Sequence, residues 1–347
     1  MRRRRPRTGW AAVLLGSLAL VGCTSTEAPE PEPATTTETP SPTPTPTPEP
    51  VRWPLTGLGT DAPAQTPALA VKVENTAMAR PQAGLEDADI VWEEMVEGGI
   101  TRFNAVFHSR LPETVGPIRS VRPMDVAIVA PLGGPQVISG GQQLFLDELT
   151  AAGVQLISND AGDAGFVRSP DRRAPHNLYG TPQVFLEQAE SSEPPAEQFE
   201  FAVDPDEATA VTAGEPAAAL RVDFPAASPG WAWDDDAGWL RDEAGAPSLS
   251  AAGEQLWATN VVVLRVEIVA SAGRDQSGDP VPETVLTGDG EALVATGGQV
   301  VEAGWRKEAP ADPVTLTTED GSPVLLAAGT TWVELVPVDR GGVTVEP

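Results

Sequence analysis

Two apolar runs of period two face each other across a pair of glycines: residues 90–97, then Gly98-Gly99, then 100–108. That alternation predicts a β-hairpin with a two-residue turn, where glycine takes positive φ without strain. With the glycines as the whole turn, one face carries Ile90, Trp92, Val96, Phe103, Ala105 and Phe107, with Glu94 among them. The other carries Val91, Glu93, Met95, Glu97, Ile100, Arg102, Asn104 and Val106. The first face reads as core. A strand is predicted over 69–74, a helix opened by Pro123 over 123–130, and a strand over 136–138. Ser139-Gly140-Gly141 then leads into a helix over 142–152, followed by a strand over 154–158. This succession predicts an α/β layer. Thr181 as N-cap and Pro182 at the first position open a further helix to about Glu190.

Residues 191–217 are rich in Glu, Pro and Ala and read in part as a junction. Beyond it strands dominate, over 220–224, 231–233, 239–241, 256–270, 292–295, 300–306, 314–318, 324–327 and 331–336. Asp289-Gly290, Gly297-Gly298 and Asp320-Gly321 read as turns between them, as in an antiparallel meander. No fixed-period repeat is present.

The first fifty residues carry a different pattern. Arg2, Arg3, Arg4, Arg5 and Arg7 precede an apolar run over 10–21, too short to span a bilayer, which closes in Leu20-Val21-Gly22-Cys23. Small residues before a lone cysteine form a lipobox, so residues 1–23 are expected to be a lipoprotein signal with Cys23 taking the lipid. Cys23 is the only cysteine, which excludes an intramolecular disulfide and thiol catalysis elsewhere. Residues 24–52 form a Pro/Thr/Glu-rich linker that cannot bury enough apolar surface to order itself. The expected location is the extracytoplasmic face of the cell membrane, lipid-anchored.

The chain holds 22 basic and 50 acidic residues, and five of the basic ones lie in the leader. An acidic globule of this kind is repelled by nucleic acid, so the expected partners are the membrane, through Cys23, and a wall component or envelope protein.

The stretch ARPQAGLEDADIVWEEMVEGGITRFNAVFHS, with GPIRSVRP, ISGG and RRAPHNLYGTP after it, resembles the YerB-like family of bacterial lipoproteins. LWATNVVV, GGQVVEAGWRK and DGSPVLLAAGTTWVELVP are similar to that family's C-terminal region. The resemblance spans about residues 55 to 340 and implies an N-terminal domain over 53–195 and a C-terminal domain over 218–340. The expected class is α+β: a layered β/β/α sandwich-like N-terminal half packed on a mostly antiparallel β C-terminal half. The resemblance implies a lipid anchor and no activity.

Candidate chemistry concentrates in the N-terminal half. Arg102, Arg119, Arg122, Arg168, Arg172 and Arg173 cluster in an otherwise acidic chain, and guanidinium groups bind carboxylates and phosphates bidentately. The alternative is pairing with Glu93, Glu97, Asp125 and Asp171. His176, beside Asn177 in a Pro-punctuated loop, is placed to bind an anion or act as general base, or else to fix its loop through a backbone carbonyl. Ser139, Gly140 and Gly141 before a helix offer an anion seat. Glu94, on the apolar face, is the carboxylate whose pKa burial would raise. Trp231, Trp233 and Trp239 suit core packing or sugar stacking, and Asp234-Asp235-Asp236 a solvated turn. No metal spacing, phosphate loop, nucleophile elbow or dinucleotide fingerprint occurs, so no cofactor or metal is expected. A non-catalytic binding or scaffold lipoprotein is the favoured reading. The alternative is an envelope hydrolase or transferase acting on an anionic glycan or peptide, with His176 or Glu94 as base.

Overall fold

The computed structural model describes residues 51–347; the leader, Cys23 and residues 24–50 lie outside the described residues. The fold already includes Arg52, which bridges to Gly59 and donates to the carbonyls of Gly57 and Ala202 (3.0 and 3.1 Å). Residues 51 and 52 therefore belong to the folded part rather than the linker.

Strand β1 (Leu69–Glu74) is buried throughout, with Leu69, Val71 and Val73 on one face and Ala70, Lys72 and Glu74 on the other. β2 (Ile90–Met95) and β3 (Thr101–Phe107) form the predicted hairpin, with a corrected register. Its turn is a 3₁₀ segment over Glu97–Gly99, closed by the Val96 N–H on the Ile100 carbonyl (2.8 Å), with φ +73° at both Gly98 and Gly99. The extra turn residue shifts the pairing by one, so Ile90 faces Val106 and Glu94 faces Arg102. A one-residue slip moves every side chain to the opposite face. Arg102, Asn104 and Val106 therefore share a face with Ile90, Trp92 and Glu94, while Phe103 and Ala105 share the other with Val91 and Glu93.

Then follow α1 (Asp125–Val129), β4 (Gln136–Ile138), α2 (Gln143–Ala151), β5 (Leu156–Ser158), β6 (Phe166–Arg168), β7 (Leu178–Gly180) and α3 (Pro182–Leu186). The junction region holds α4 (Thr209–Ala213) and β8 (Glu215–Pro216). A second group of strands comprises β9 (Ala219–Asp223), β10 (Pro229–Asp234), β11 (Gly238–Glu243), β12 (Ala246–Pro247) and β13 (Trp257–Ala258). The chain ends in β14 (Asn260–Arg274), β15 (Pro280–Val285), β16 (Gly288–Thr296), β17 (Gln299–Lys307), β18 (Thr315–Thr317), β19 (Thr331–Pro337) and β20 (Gly342–Glu346). Gly297-Gly298 makes the two-residue turn between β16 and β17, as predicted. Asp289-Gly290 instead lies inside β16, and in place of a strand over 324–327 Leu326 alone makes an isolated bridge, to Phe201.

The C-terminal strands do not form a separate meander. The large sheet runs β18-β17-β16-β14-β19-β2-β3-β1-β4-β5, so β19 sits between β14 and β2, parallel to both. β4 and β5 run parallel to β1, and β3 is antiparallel to both its neighbours. Because β16 is antiparallel to both β14 and β17, seven strands, β17, β14, β19, β2, β1, β4 and β5, point the same way. A second antiparallel sheet, β12-β11-β10-β9-β20, lies separate from the first.

Three layers result. On one face of the large sheet, Ile128, Phe145 and Leu149 of the helical layer pack on Ala70, Ile90, Trp92, Val106 and Leu335. On the other, Val71, Phe103, Ala105 and Trp332 meet Leu220, Trp231 and Trp239 of the second sheet. The chain is α+β, with a mostly β C-terminal half. Burial on both sides removes the polar face that an exposed hairpin would show.

Candidate functional site

The ends of the parallel strands define where chemistry can gather. In open α/β sheets, ligands sit in the crevice outside the carboxyl ends of the strands. Here Glu97 follows β2, Gly141 and Gln142 follow β4, Asp160 follows β5, and Arg274 ends β14. All of them line one cleft of about 580 Å³, together with Arg102, Ser120, Arg122 and residues 275–277. The wall from the C-terminal half is the tip of the β14–β15 hairpin. It is held to the N-terminal half by Gln142, whose side-chain amide donates to the Arg274 carbonyl (2.8 Å) and accepts from the Arg274 N–H (3.2 Å).

Arg102 is 6% exposed, and its Nη1 donates to the Ser120 carbonyl (3.0 Å). Its Nε is buried without a partner among the described residues. Burial, then the charges of Arg122 and Arg119, push its pKa down to about 9. Arg122 pairs with Glu97 (2.8 Å) and donates to the Val121 carbonyl (2.7 Å). Burial pushes the Glu97 carboxyl up, but the hydrogen bond and charge of Arg122 outweigh it and hold the carboxyl low.

Beneath the cleft lies a buried polar floor. Lys72 Nζ contacts Glu94 and donates to Asp125 Oδ1 (2.6 Å), which also accepts from Asn104 (3.0 Å). Asp125 Oδ2 accepts from the Arg122 N–H (2.7 Å), fixing the loop that carries Arg122. Glu94 is fully buried; burial and then Asp125 raise its pKa to about 8, against the opposing charge of Lys72.

The remaining candidates gather elsewhere. His176 Nδ1 lies 2.7 Å from Glu74 Oε1, and Arg119 Nε 3.7 Å from Glu74 Oε2. Glu74 faces Arg102 across β1 and β3, so this group adjoins the cleft without lining it. Arg172 donates to the carbonyls of Met78 (3.2 Å), Ala79 and Pro81 (2.7 Å), clasping the 78–81 loop. Asn177 accepts from Arg168 (3.0 Å) and donates to the Ser169 carbonyl (3.1 Å). Arg173 is exposed. The Ser139 hydroxyl bonds Ser120 (3.1 Å), and the space where a Gly140 Cβ would stand is taken by the Asp160 carboxylate. Trp231 and Trp239 are core residues, and Asp234 Oδ1 caps the turn N–H groups of Asp236 and Ala237.

Lys72, Glu74, Asp160, Gln142 and Arg274 are site residues that the residue patterns alone do not single out. Lys72 carries one signal, being one of two lysines and set in an apolar strand. Arg274 carries none, because its place depends on pairings more than a hundred residues away.

The architecture is thus a layered α+β protein with a polar crevice at the carboxyl ends of its parallel strands. Residues 55–195 match the N-terminal domain, and residues 220–333 the C-terminal domain, of the family described as "Protein of unknown function (DUF3048)". A curated Bacillus subtilis (strain 168) protein named "Putative lipoprotein YerB" is 39% identical over 128 residues. That alignment covers 36% of this chain and 39% of the relative, well under two thirds of the relative's length. The crystal structure of YerB protein from Bacillus subtilis superposes with a TM-score of 0.71 at 25% identity, covering 85% of this chain and 99% of that one. The chain belongs to this YerB-like family.

Proposed function

We propose that this chain is a lipid-anchored extracytoplasmic protein that binds, without catalysis, an anionic group of an envelope component or protein partner in the crevice at the carboxyl ends of the sheet. The lipobox at Cys23 and the lipoprotein name of its Bacillus subtilis relative support the anchor. The observation that carries the binding reading is Arg102: a buried cation on the wall of an open cleft, with an unpartnered Nε and two arginines nearby. A charge held so is costly unless something answers it, and a bound oxyanion does. Binding is favoured over hydrolysis because neither candidate base lines the cleft: His176 turns to Glu74, and Glu94 is sealed on Lys72.

Two measurements test this. Cys23→Ala should abolish labelling by a palmitate probe in cells; continued labelling refutes the anchor. For the site, calorimetry of the purified full chain with inorganic phosphate, acetate and wall fragments should show binding that Arg102→Met lowers at least tenfold. No binding by the wild type, or equal binding by the variant, would sink the site.

A further inference from the structure

The crevice is not uniformly basic. Arg102 stands on β3, in the middle of the sheet, with Arg122 beside it, whereas Asp160 follows β5 on one flank and Asp275 follows β14 on the other. The acids differ in how they are used. Glu97 is consumed by Arg122. Asp275 Oδ1 accepts the N–H groups of Ser277 and Asp279 (2.8 and 2.9 Å) and shapes the hairpin tip. Asp160 has a single weak side-chain partner among the described residues, the Asn159 amide at 3.4 Å.

Its position is nonetheless built. The Asp160 N–H donates to the Ser139 carbonyl (3.1 Å), and its Oδ2 lies 2.0 Å from where a Gly140 Cβ would be. Any larger residue at 140 would expel the carboxylate. Gly140, with φ +152°, leaves that space open.

We infer that the crevice receives a small zwitterion, a free amino acid or a free short peptide, with its carboxylate on Arg102 and Arg122 and its ammonium on Asp160. This rests on the anion-binding reading above and narrows it. A polyanion would meet the exposed Asp160, with Asp275 and Glu97, along with the arginines, and those like charges disfavour it. A group of one negative and one positive charge answers both sides at once. The volume, about 580 Å³, falls in the range of small-ligand sites and exceeds what phosphate alone would fill.

Calorimetry of the full chain against alanyl-alanine in three forms separates the charges: free, N-acetylated and C-amidated, with inorganic phosphate alongside. The free dipeptide should bind at least tenfold more tightly than either capped form. Asp160→Asn should bring the free form down to the N-acetyl form without weakening the latter, and Arg102→Met should weaken both. Running D,D and L,L isomers of the free dipeptide distinguishes the source: a D,D preference points to a free dipeptide of wall origin, an L,L preference to one of protein origin. Equal affinity for free and N-acetyl forms, or an Asp160→Asn variant with unaltered preference, overturns the zwitterion assignment. Anion binding stands in that case if phosphate or the N-acetyl form still depends on Arg102. Loss of all binding, phosphate included, in the wild type overturns both.

Discussion

Arg241 and Arg102 are both buried arginines set against the same hairpin, yet they sit in opposite circumstances. Arg241 lies between the two sheets, where Nη2 donates to Glu93 (2.8 Å) and Glu243 (3.2 Å) and Nη1 to Ser248 (2.7 Å). Its guanidinium carbon stands 5.4, 5.2 and 6.0 Å from the ring centres of Phe103, Trp332 and Trp231. Burial works against its charge, but Glu93, Glu243 and Glu334 outweigh it and hold its pKa above the ordinary value. Arg102 projects from the other face and answers a carbonyl; Arg122 and Arg119 act against its charge more than Glu97 and Glu94 favour it, and neither carboxylate pairs with it directly. Each has a buried Nε without a partner among the described residues, so the unmet donor alone does not tell them apart. What separates them is the carboxylate. Paired, a buried arginine holds two sheets together; unpaired beside a cleft, it is available to a ligand.

The largest test falls on the paired one. Arg241→Met strands Glu93 in the core and should cost about 3–5 kcal/mol in urea unfolding. A loss under about 1 kcal/mol would mean the pair is dispensable and the contrast with Arg102 has no energetic content.

Next comes the turn that keeps the two arginines on opposite faces. Gly99→Val places a β-branched residue at positive φ and drives its Cβ to 2.7 Å from Pro225, so a loss of about 2–3 kcal/mol is expected. Gly98→Val suffers the same strain with nothing within 4 Å and should lose about 1 kcal/mol. Equal melting shifts would contradict the packing difference.

Per pH unit, a smaller effect follows from Glu94. The Glu94 carboxyl titrates near 8 in the fold against an ordinary 4.5, so the folded state holds the proton more tightly. Its contribution to stability is full below about pH 4.5 and is lost as pH rises toward 8, by at most about 1.4 kcal/mol per pH unit. Glu94→Gln should flatten that part of the urea-midpoint profile; an unaltered slope assigns the titration elsewhere. Glu334, facing Glu93 across β19 and β2, is raised by burial and then by Glu93, and adds a slope of the same sign.

The smallest stability change belongs to Arg102. Removing a cation that burial and like charges already disfavour should leave the melting temperature unchanged or slightly higher. A drop comparable with Arg241→Met would place Arg102 among the structural pairs.

Much of the local architecture is legible in the residues. Pro182 after Thr181 marks α3, Gly297-Gly298 marks a true hairpin, and the alternation around Gly98-Gly99 marks β2 and β3. The face of Arg102 is not legible, because Glu97 joins the turn and no residue type announces that. Asp289-Gly290 is a turn signal overridden by nine-residue pairing of β16 with β17.

The lipobox, the acidic balance, most strands and the clustering of arginines near residues 102–122 can be read from the residues alone, because each is written in neighbouring residues or in a period of two. Long-range packing sets the rest: β19 enters between β14 and β2, the β14–β15 tip closes onto Gln142, and Arg102, Arg122 and Asp160 share one crevice. Strands buried on both faces lose the polar alternation that would record their neighbours. Pairing over such separations is chosen by the packing of whole layers, which no local pattern encodes.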